Sequence, residues 1–199
     1  MALPERNDIA KFCPETALQK FRKGNLHMIK NDTAAEYLKD FSLPKYNEIP
    51  DVGLFLEQVA KYVEGILSPL EGITITSSMI SNYVKQKLID SPVKKQYSRD
   101  QIVYIIFIAI AKSVLTLDEI RTLINVRKKD YDCCRLYEYF CNEFEYHLFS
   151  VFGITDRITR EEAEADNEDR VLLHNTVITA THKIYLDMIF SIRKENQEA

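Results

Sequence analysis

The chain has 199 residues, of which 46% are hydrophobic and 28% are charged. This is the composition of an ordinary soluble globular chain, and it excludes wholesale disorder, a collagen-like repeat and a membrane-embedded body. Lysine and arginine number 26 against 30 aspartates and glutamates, a net charge of -4, so any nucleic-acid partner must be bound by a local patch. Only 5 glycines and 6 prolines are present, and apolar residues recur at helical spacing, which predicts a mostly helical protein.

The first eight residues carry both signs of charge and no apolar core of the kind a secretory signal requires, so the sequence predicts a cytoplasmic protein. The longest apolar stretch, Ile102 to Ala111, is half as long as the roughly 20 residues that cross a bilayer. It predicts a buried helix and no membrane partner. The four cysteines are too few for a disulfide framework and are interpreted as small hydrophobic residues.

Helix-capping patterns divide the first half of the chain. A short helix is predicted after Thr33, followed by an extended linker over residues 43–50, where two prolines disfavour helix. Asp51 is the predicted N-cap of a helix that runs to about Leu67, and Thr76 is the predicted N-cap of a shorter helix that runs to about Lys87.

Further capping boxes organise the second half. Residues 98–101 open a very apolar helix to about Val114, and residues 116–119 open a helix through Val126. A long helix is predicted from beyond Lys129 to about Val151, and a last helix from about Leu173 to Lys194. The acidic run over residues 161–169 is expected to be a solvated loop between these two helices.

The charge is unevenly distributed along the chain. Between Thr74 and Lys112 there are six basic residues and two acidic ones, a net charge of +4, so the remaining residues carry -8. We call residues 74–112 the basic island. A positive region in an acidic protein is where a polyanion docks, because neutralising phosphates releases condensed counterions. The alternative is a solvated face with clustered lysines.

The order of the predicted elements is typical of a winged helix-turn-helix, in which the second helix enters the major groove of DNA. A helix, a connector, a short helix with a small polar face, a basic loop or β-ribbon at residues 93–97 and an apolar helix follow one another. The polar face of the short helix fits this role, because its side chains are slim or flexible hydrogen-bonding groups that reach phosphates or base edges. These candidate groove contacts are Ser78, Ser81, Asn82 and Lys85.

The stretch from Thr76 to Ile102, and residues 115–120 after it, resembles the DNA-binding region of the MerR-type transcription regulators. It is more similar still to an uncharacterised bacterial family of MerR-like regulators, over about residues 43–126. Pro92 and Lys94 match the proline and basic residue that enter the MerR wing, and Lys95 and Tyr97 match the arginine and tyrosine that leave it. The wing is shorter here, Lys87 stands where the MerR pattern has glycine, and Asn82 replaces the first of two adjacent tyrosines.

The resemblance implies an all-α protein with a small β wing, consisting of an N-terminal arm with a short helix and linker (1–50), a MerR-like winged helix-turn-helix region (51–126) and a helical dimerisation or effector region (127–199). It implies a regulator that docks residues 76–87 in double-stranded DNA, with phosphates gripped by Lys94, Lys95, Tyr97 and Arg99. The alternative is a protein-interaction module that kept the fold without DNA binding. No enzyme signature is found.

Eight aromatic residues lie between Tyr131 and Phe152 and point around the predicted helix in several directions. One core face does not need so many, so a second partner surface is expected. A homodimer interface is favoured, because recognition helices usually work in two-fold pairs, and the wall of a pocket for a small-molecule effector is the alternative.

No metal or cofactor is predicted. Cys134 and Cys141 are seven residues apart, about 10.5 Å along a helix, which is too far to share one ion. The four histidines, His27, His147, His174 and His182, show no ligand spacing and are interpreted as surface or capped residues.

Overall fold

The computed structural model describes residues 32–127, 132–154 and 168–198. Residues 1–31 of the predicted arm, Tyr131 and the acidic run through Asn167 lie outside this description. The described helices are α1 (Asp32–Leu38), α2 (Leu56–Leu67), α3 (Ser77–Lys85), α4 (Arg99–Ala111), α5 (Leu117–Arg127), α6 (Cys133–Phe152) and α7 (Glu168–Glu198), and the strands are β1 (Leu54–Phe55) and β2 (Gln96–Tyr97). A 3-10 turn covers Tyr46–Glu48. The prediction of a mostly helical protein with a small β element is therefore confirmed.

Three predicted helix starts are confirmed by hydrogen bonds. The hydroxyl of Thr76 accepts a hydrogen bond from the amide of Met79 at 3.2 Å. At residues 98–101 the Ser98 amide donates to the Gln101 side chain at 2.9 Å, and the Ser98 hydroxyl accepts from the Gln101 amide. Residues 116–119 make the same reciprocal pair, and these hydrogen bonds lower the pKa of Glu119. Each bond satisfies an amide that the first turn of a helix would otherwise leave unpaired.

The start of α2 differs from the prediction. The helix does not begin after Asp51 but at Leu56, because Gly53 adopts a φ of 71° and the next two residues form β1. The Gln58 side chain accepts a hydrogen bond from the Phe55 amide at 2.9 Å and thereby closes the first turn. The helix ends at Leu67, as the sequence predicts.

A small antiparallel ribbon replaces the predicted first turn of α2. Leu54 lies opposite Tyr97 and Phe55 lies opposite Gln96. Gln96 also bridges Val93 across a two-residue hairpin. Of the two alternatives predicted at residues 93–97, a loop or a β-ribbon, the structure has the ribbon. Its partner strand β1 was not predicted.

One continuous core extends from Ala34 on α1 to Met188 on α7. Its centre is α4, which buries apolar residues all round, as a helix without a polar face must; the buried residues are Ile102, Val103, Ile105, Ile106, Ile108, Ala109, Ile110 and Ala111. The described part of the predicted N-terminal arm also packs into this core, and the Leu43 amide donates to Glu145 of α6 at 2.8 Å. None of the described helices is both long and apolar enough to cross a bilayer.

The aromatic residues of α6 are covered by this chain's own elements. Rings on α6 pack against Phe41 after α1, against Phe107 of α4 and against Tyr185 of α7. The second surface that the sequence requires is therefore supplied within the chain, and these aromatics give no support to a dimer interface. The structure also gives little support to the alternative, a pocket for a small-molecule effector. The apolar cavity between α4, α5, α6 and α7 has about 50 Å³, far below the roughly 300 to 1,000 Å³ of ligand pockets.

Tyr83 provides a test of the packing beneath α3. Its side chain is 1% exposed, and its hydroxyl has no hydrogen-bond partner among the described residues. Burial raises its pKa to about 12. Because an unsatisfied buried hydroxyl costs about 1 to 3 kcal/mol, we expect Tyr83→Phe to raise the free energy of unfolding by about 1 kcal/mol in urea denaturation. Tyr62→Phe, at a half-buried position, is the control, and a loss of stability in Tyr83→Phe would contradict the packing described.

Candidate nucleic-acid interface

An open groove lies between the beginning of α2 and the exposed face of α3. It is lined by Leu56 and Glu57 of α2 and by the α3 residues Ser77, Ser78, Ser81, Asn82 and Lys85. The five α3 positions are spaced by one, three, one and three residues, so they occupy one face of the helix. All four candidate groove contacts predicted from the sequence are brought together here.

The opposite face of α3 holds the helix in place. Ile80 and Tyr83 are buried, and Met79 and Val84 are half-buried against the core. The helix therefore has one apolar side packed towards α2 and one small polar side facing the groove. This division leaves Ser81 and Asn82 exposed, as a role in groove contacts requires.

The end of α3 is a Schellman motif with a lysine at its left-handed position. The Lys87 amide donates to the Val84 carbonyl and the Leu88 amide donates to the Tyr83 carbonyl, both at 2.9 Å. Lys87 has a φ of 57°. Glycine is the usual residue at this position because it has no Cβ. Arg121 of α5 donates to the Gln86 carbonyl at 3.0 Å and satisfies a further acceptor at this helix end.

Residues 93–96 form a tight hairpin, which we call the wing, and its two central residues are also lysines. The Gln96 amide donates to the Val93 carbonyl at 2.9 Å, and Lys94 and Lys95 have φ values of 50° and 66°. Two central residues with positive φ are typical of a type I′ turn, which favours Asn-Gly. A side chain with a Cβ at such a position costs about 1 to 2 kcal/mol. The lysine pair is therefore presented by a strained turn.

Lys87, Lys94 and Lys95 share one property. They are the non-glycine residues with positive φ in the described part of the chain, and all three belong to the basic island. Their side chains are exposed, and no ion pair involving them occurs within residues 32–127, 132–154 and 168–198. Glycine would adopt these backbone conformations without strain, so a lysine at each of the three positions points to a function for the side chain.

Tyr97 does not meet its predicted role as a phosphate contact. Its side chain is 4% exposed, it pairs with Leu54 across the ribbon, and burial raises its pKa. In an antiparallel ribbon, successive residues point to opposite faces, so Tyr97 turns into the core whereas Gln96 faces the solvent side. The burial of Tyr97 therefore does not support the predicted phosphate contact at this residue.

Arg99 is likewise engaged inside the fold. Its Nε donates to the Ile49 carbonyl at 2.8 Å, and its guanidinium lies 5.2 Å from the centre of the Tyr46 ring. Tyr46 in turn donates to Asp100 at 2.5 Å. Arg99 thus ties the linker to the first turn of α4. These contacts favour a structural role for Arg99 over the predicted phosphate contact.

The structure adds Leu56, Glu57 and Ser77 to the groove. Ser77 was detectable from the sequence, because it lies one helical turn before Ser81. Glu57 was not detectable from the sequence, because its position depends on how α2 packs on α3. It also depends on where α2 begins, and the sequence predicts that start at Asp51 instead of Leu56. The carboxylate of Glu57 can accept a hydrogen bond from a cytosine amino group, and it repels phosphate.

The cysteines of α6 are in positions that disfavour thiolates. Cys133 is half-buried and Cys141 is buried. Burial raises the pKa of each of these two thiols to about 12. Both stay protonated at neutral pH, which agrees with the interpretation of these cysteines as structural residues.

The strain in the wing can be measured. Replacing Lys94→Asn together with Lys95→Gly installs the preferred residues of a type I′ turn, so we expect the free energy of unfolding in urea to rise by about 1 kcal/mol. Lys94→Ala with Lys95→Ala is the matched control, because it removes the same charges and keeps a Cβ at both positions. Equal stability of the two double variants would contradict the proposed strain.

The middle of the chain matches one known protein family. A family described as a Domain of unknown function (DUF1836) matches residues 44–140. The matched range starts in the linker bound by Arg99 and ends within α6, so it contains the groove, the wing and α4. No curated protein and no solved structure matches the chain. Over this range the chain is therefore similar to a family whose description assigns no function.

Proposed function

We propose that this protein is a DNA-binding transcription regulator that docks α3 in the major groove of double-stranded DNA. Two neighbouring features carry the proposal. The exposed face of α3 consists mainly of small polar side chains, and the lysines beside it have positive φ. Either feature alone is compatible with a solvated surface. Together they provide the two kinds of contact that DNA recognition needs, to base edges and to phosphates.

The dimensions of α3 suit the major groove. It is a helix of 9 residues, an α-helix with its side chains is about 10 to 12 Å in diameter, and the groove is about 12 Å wide. Ser78, Ser81 and Asn82 are short, so the helix can approach the base edges closely. An asparagine amide can pair with adenine through two hydrogen bonds, and serine hydroxyls bond to several bases. Asn82 is therefore the proposed main source of sequence preference.

The wing supplies phosphate contacts next to this helix. β1 continues directly into α2, whose first residues line the groove, and β2 pairs with β1. The hairpin that carries Lys94 and Lys95 is thus fixed to the wall of the groove. Lys85 and Lys87 extend the positive charge along α3. The acidic remainder of the chain repels the phosphates of DNA and favours approach by the basic island.

The exposed apolar residues of the ribbon favour a second candidate function. Phe55 and Val93 are 51% and 75% exposed, and both lie opposite Gln96, so they share one face. In the DNA proposal these side chains contact thymine methyl groups or deoxyribose. In a protein-interaction module they would be the centre of a protein interface, since exposed apolar patches mark such sites.

A salt series tests the proposal. Binding to bacterial genomic DNA fragments is measured by fluorescence anisotropy for the native chain and for Lys94→Asn with Lys95→Gly. We expect affinity to fall with salt, and the variant to have a log-log slope shallower by about 0.9 per lost phosphate contact, roughly 2 for the pair. Because this variant is expected to be more stable than the native chain, unfolding would not explain its loss of affinity.

Lys39→Ala is the control in this series, since Lys39 follows α1, pairs with Glu36 and does not line the groove. Its slope is expected to equal that of the native chain. Absent or salt-independent DNA binding would contradict the proposal and favour the interaction module.

Base contacts are tested separately from phosphate contacts. Fragments selected from the genome by the native chain are measured again with Asn82→Ala. We expect the affinity for selected fragments to fall by about 1 to 3 kcal/mol, with random fragments and the salt slope nearly unchanged. A uniform loss on all fragments would assign Asn82 to the phosphate contacts instead.

A further inference from the structure

Two histidines and a glutamate converge where α6 meets the second turn of α7. Glu143 and His147 are one helical turn apart on α6, and His174 comes from α7. His174 Nδ1 lies 2.7 Å from Glu143 Oε2, and His147 Nε2 lies 3.5 Å from the same oxygen. One ligand atom from each residue lies within 4.8 Å of the others. These residues take no part in the groove or the wing.

The chemistry of this set is that of a transition-metal site. Neutral imidazole nitrogens and a carboxylate oxygen are ordinary ligands of Zn²⁺, and two histidines with one glutamate leave a fourth tetrahedral position for water. Bonds of about 2.0 to 2.1 Å in tetrahedral geometry place ligand atoms about 3.3 Å apart. The His147 contact already has this spacing, and the His174 contact needs to open by about half an ångström.

The surroundings of the three residues suit a bound ion. The side chains of Glu143, His147 and His174 are 14%, 17% and 34% exposed, so the site is partly enclosed with access from the His174 side. The two imidazole rings have centroids 5.0 Å apart and planes at 70°, so they are in edge-to-face contact beside the carboxylate of Glu143. Partial burial holds the side chains and lowers the entropy lost when an ion binds.

We infer that Glu143, His147 and His174 bind one Zn²⁺ ion, with water as the fourth ligand. The ion links α6 to α7 across residues 153–167. Because the three ligands come together only in the folded chain, binding stabilises the fold by linkage. This inference does not depend on the proposed DNA binding. The two ligands on α6 have a recognisable spacing of four residues, and His174 could not be assigned to them without the packing of α7 on α6.

Zinc titration of the full chain tests the inference. We expect calorimetry to give one Zn²⁺ per chain and the melting temperature to rise with ZnCl₂. His147→Ala and His174→Ala are each expected to weaken binding by at least about tenfold, since even loss of a group that orients a ligand has this effect. His182→Ala is the matched control, because His182 is an exposed histidine on the same helix. Absence of binding, or equal affinity in all three variants, would overturn the inference.

A spectroscopic measurement on the native chain separates this site from the cysteines of α6 without relying on variants. Co²⁺ bound by nitrogen and oxygen ligands gives visible d–d bands without the near-ultraviolet thiolate-to-cobalt charge-transfer band. We expect the d–d bands alone, and their displacement by one equivalent of Zn²⁺. A charge-transfer band of matching stoichiometry would assign the ion to thiolates and overturn the inference.

Discussion

The burial of α4 on all sides is the constraint on which the rest of the structure depends. A helix without a polar face must be surrounded, and here α2, α6 and α7 pack around it. The two ends of α4 are therefore fixed in space. Its first turn binds the linker through Arg99 and the loop at Asp90 through Gln101, so hydrogen bonds attach the segment before α4 to the core. These contacts restrain the proposed interface before it binds, which limits the entropy lost on binding.

Local signals in the sequence predict the helices well, and contacts between distant residues account for the errors. Thr76, residues 98–101 and residues 116–119 are capping sites whose bonds are made within four residues, so their pattern was sufficient. The start of α2 was wrong because β1 exists only through its pairing with β2, some forty residues later in the chain. The same pairing turns Tyr97 into the core, and no local pattern indicates which face of a two-residue strand is buried.

Local sequence patterns also predict part of the candidate site, and contacts between distant residues determine the rest. The polar face of α3 follows from helical spacing alone, so its four residues were found. Arg99 has the charge of a phosphate contact, and only the position of the Ile49 carbonyl assigns it to the fold. The aromatic residues of α6 correctly indicated that a second surface must cover them. Their number carries no information on whether that surface belongs to a second chain or to α1, α4 and α7.

The three lysines with positive φ affect which substitutions this chain can accept. At positions 87, 94 and 95 a glycine would relax the backbone, so random mutagenesis followed by selection for heat resistance alone should enrich glycine codons at these sites. Selection that also requires the partner of the basic island should remove them again. The occurrence of glycine at these three positions in natural variants would therefore report whether a given lineage still uses that surface.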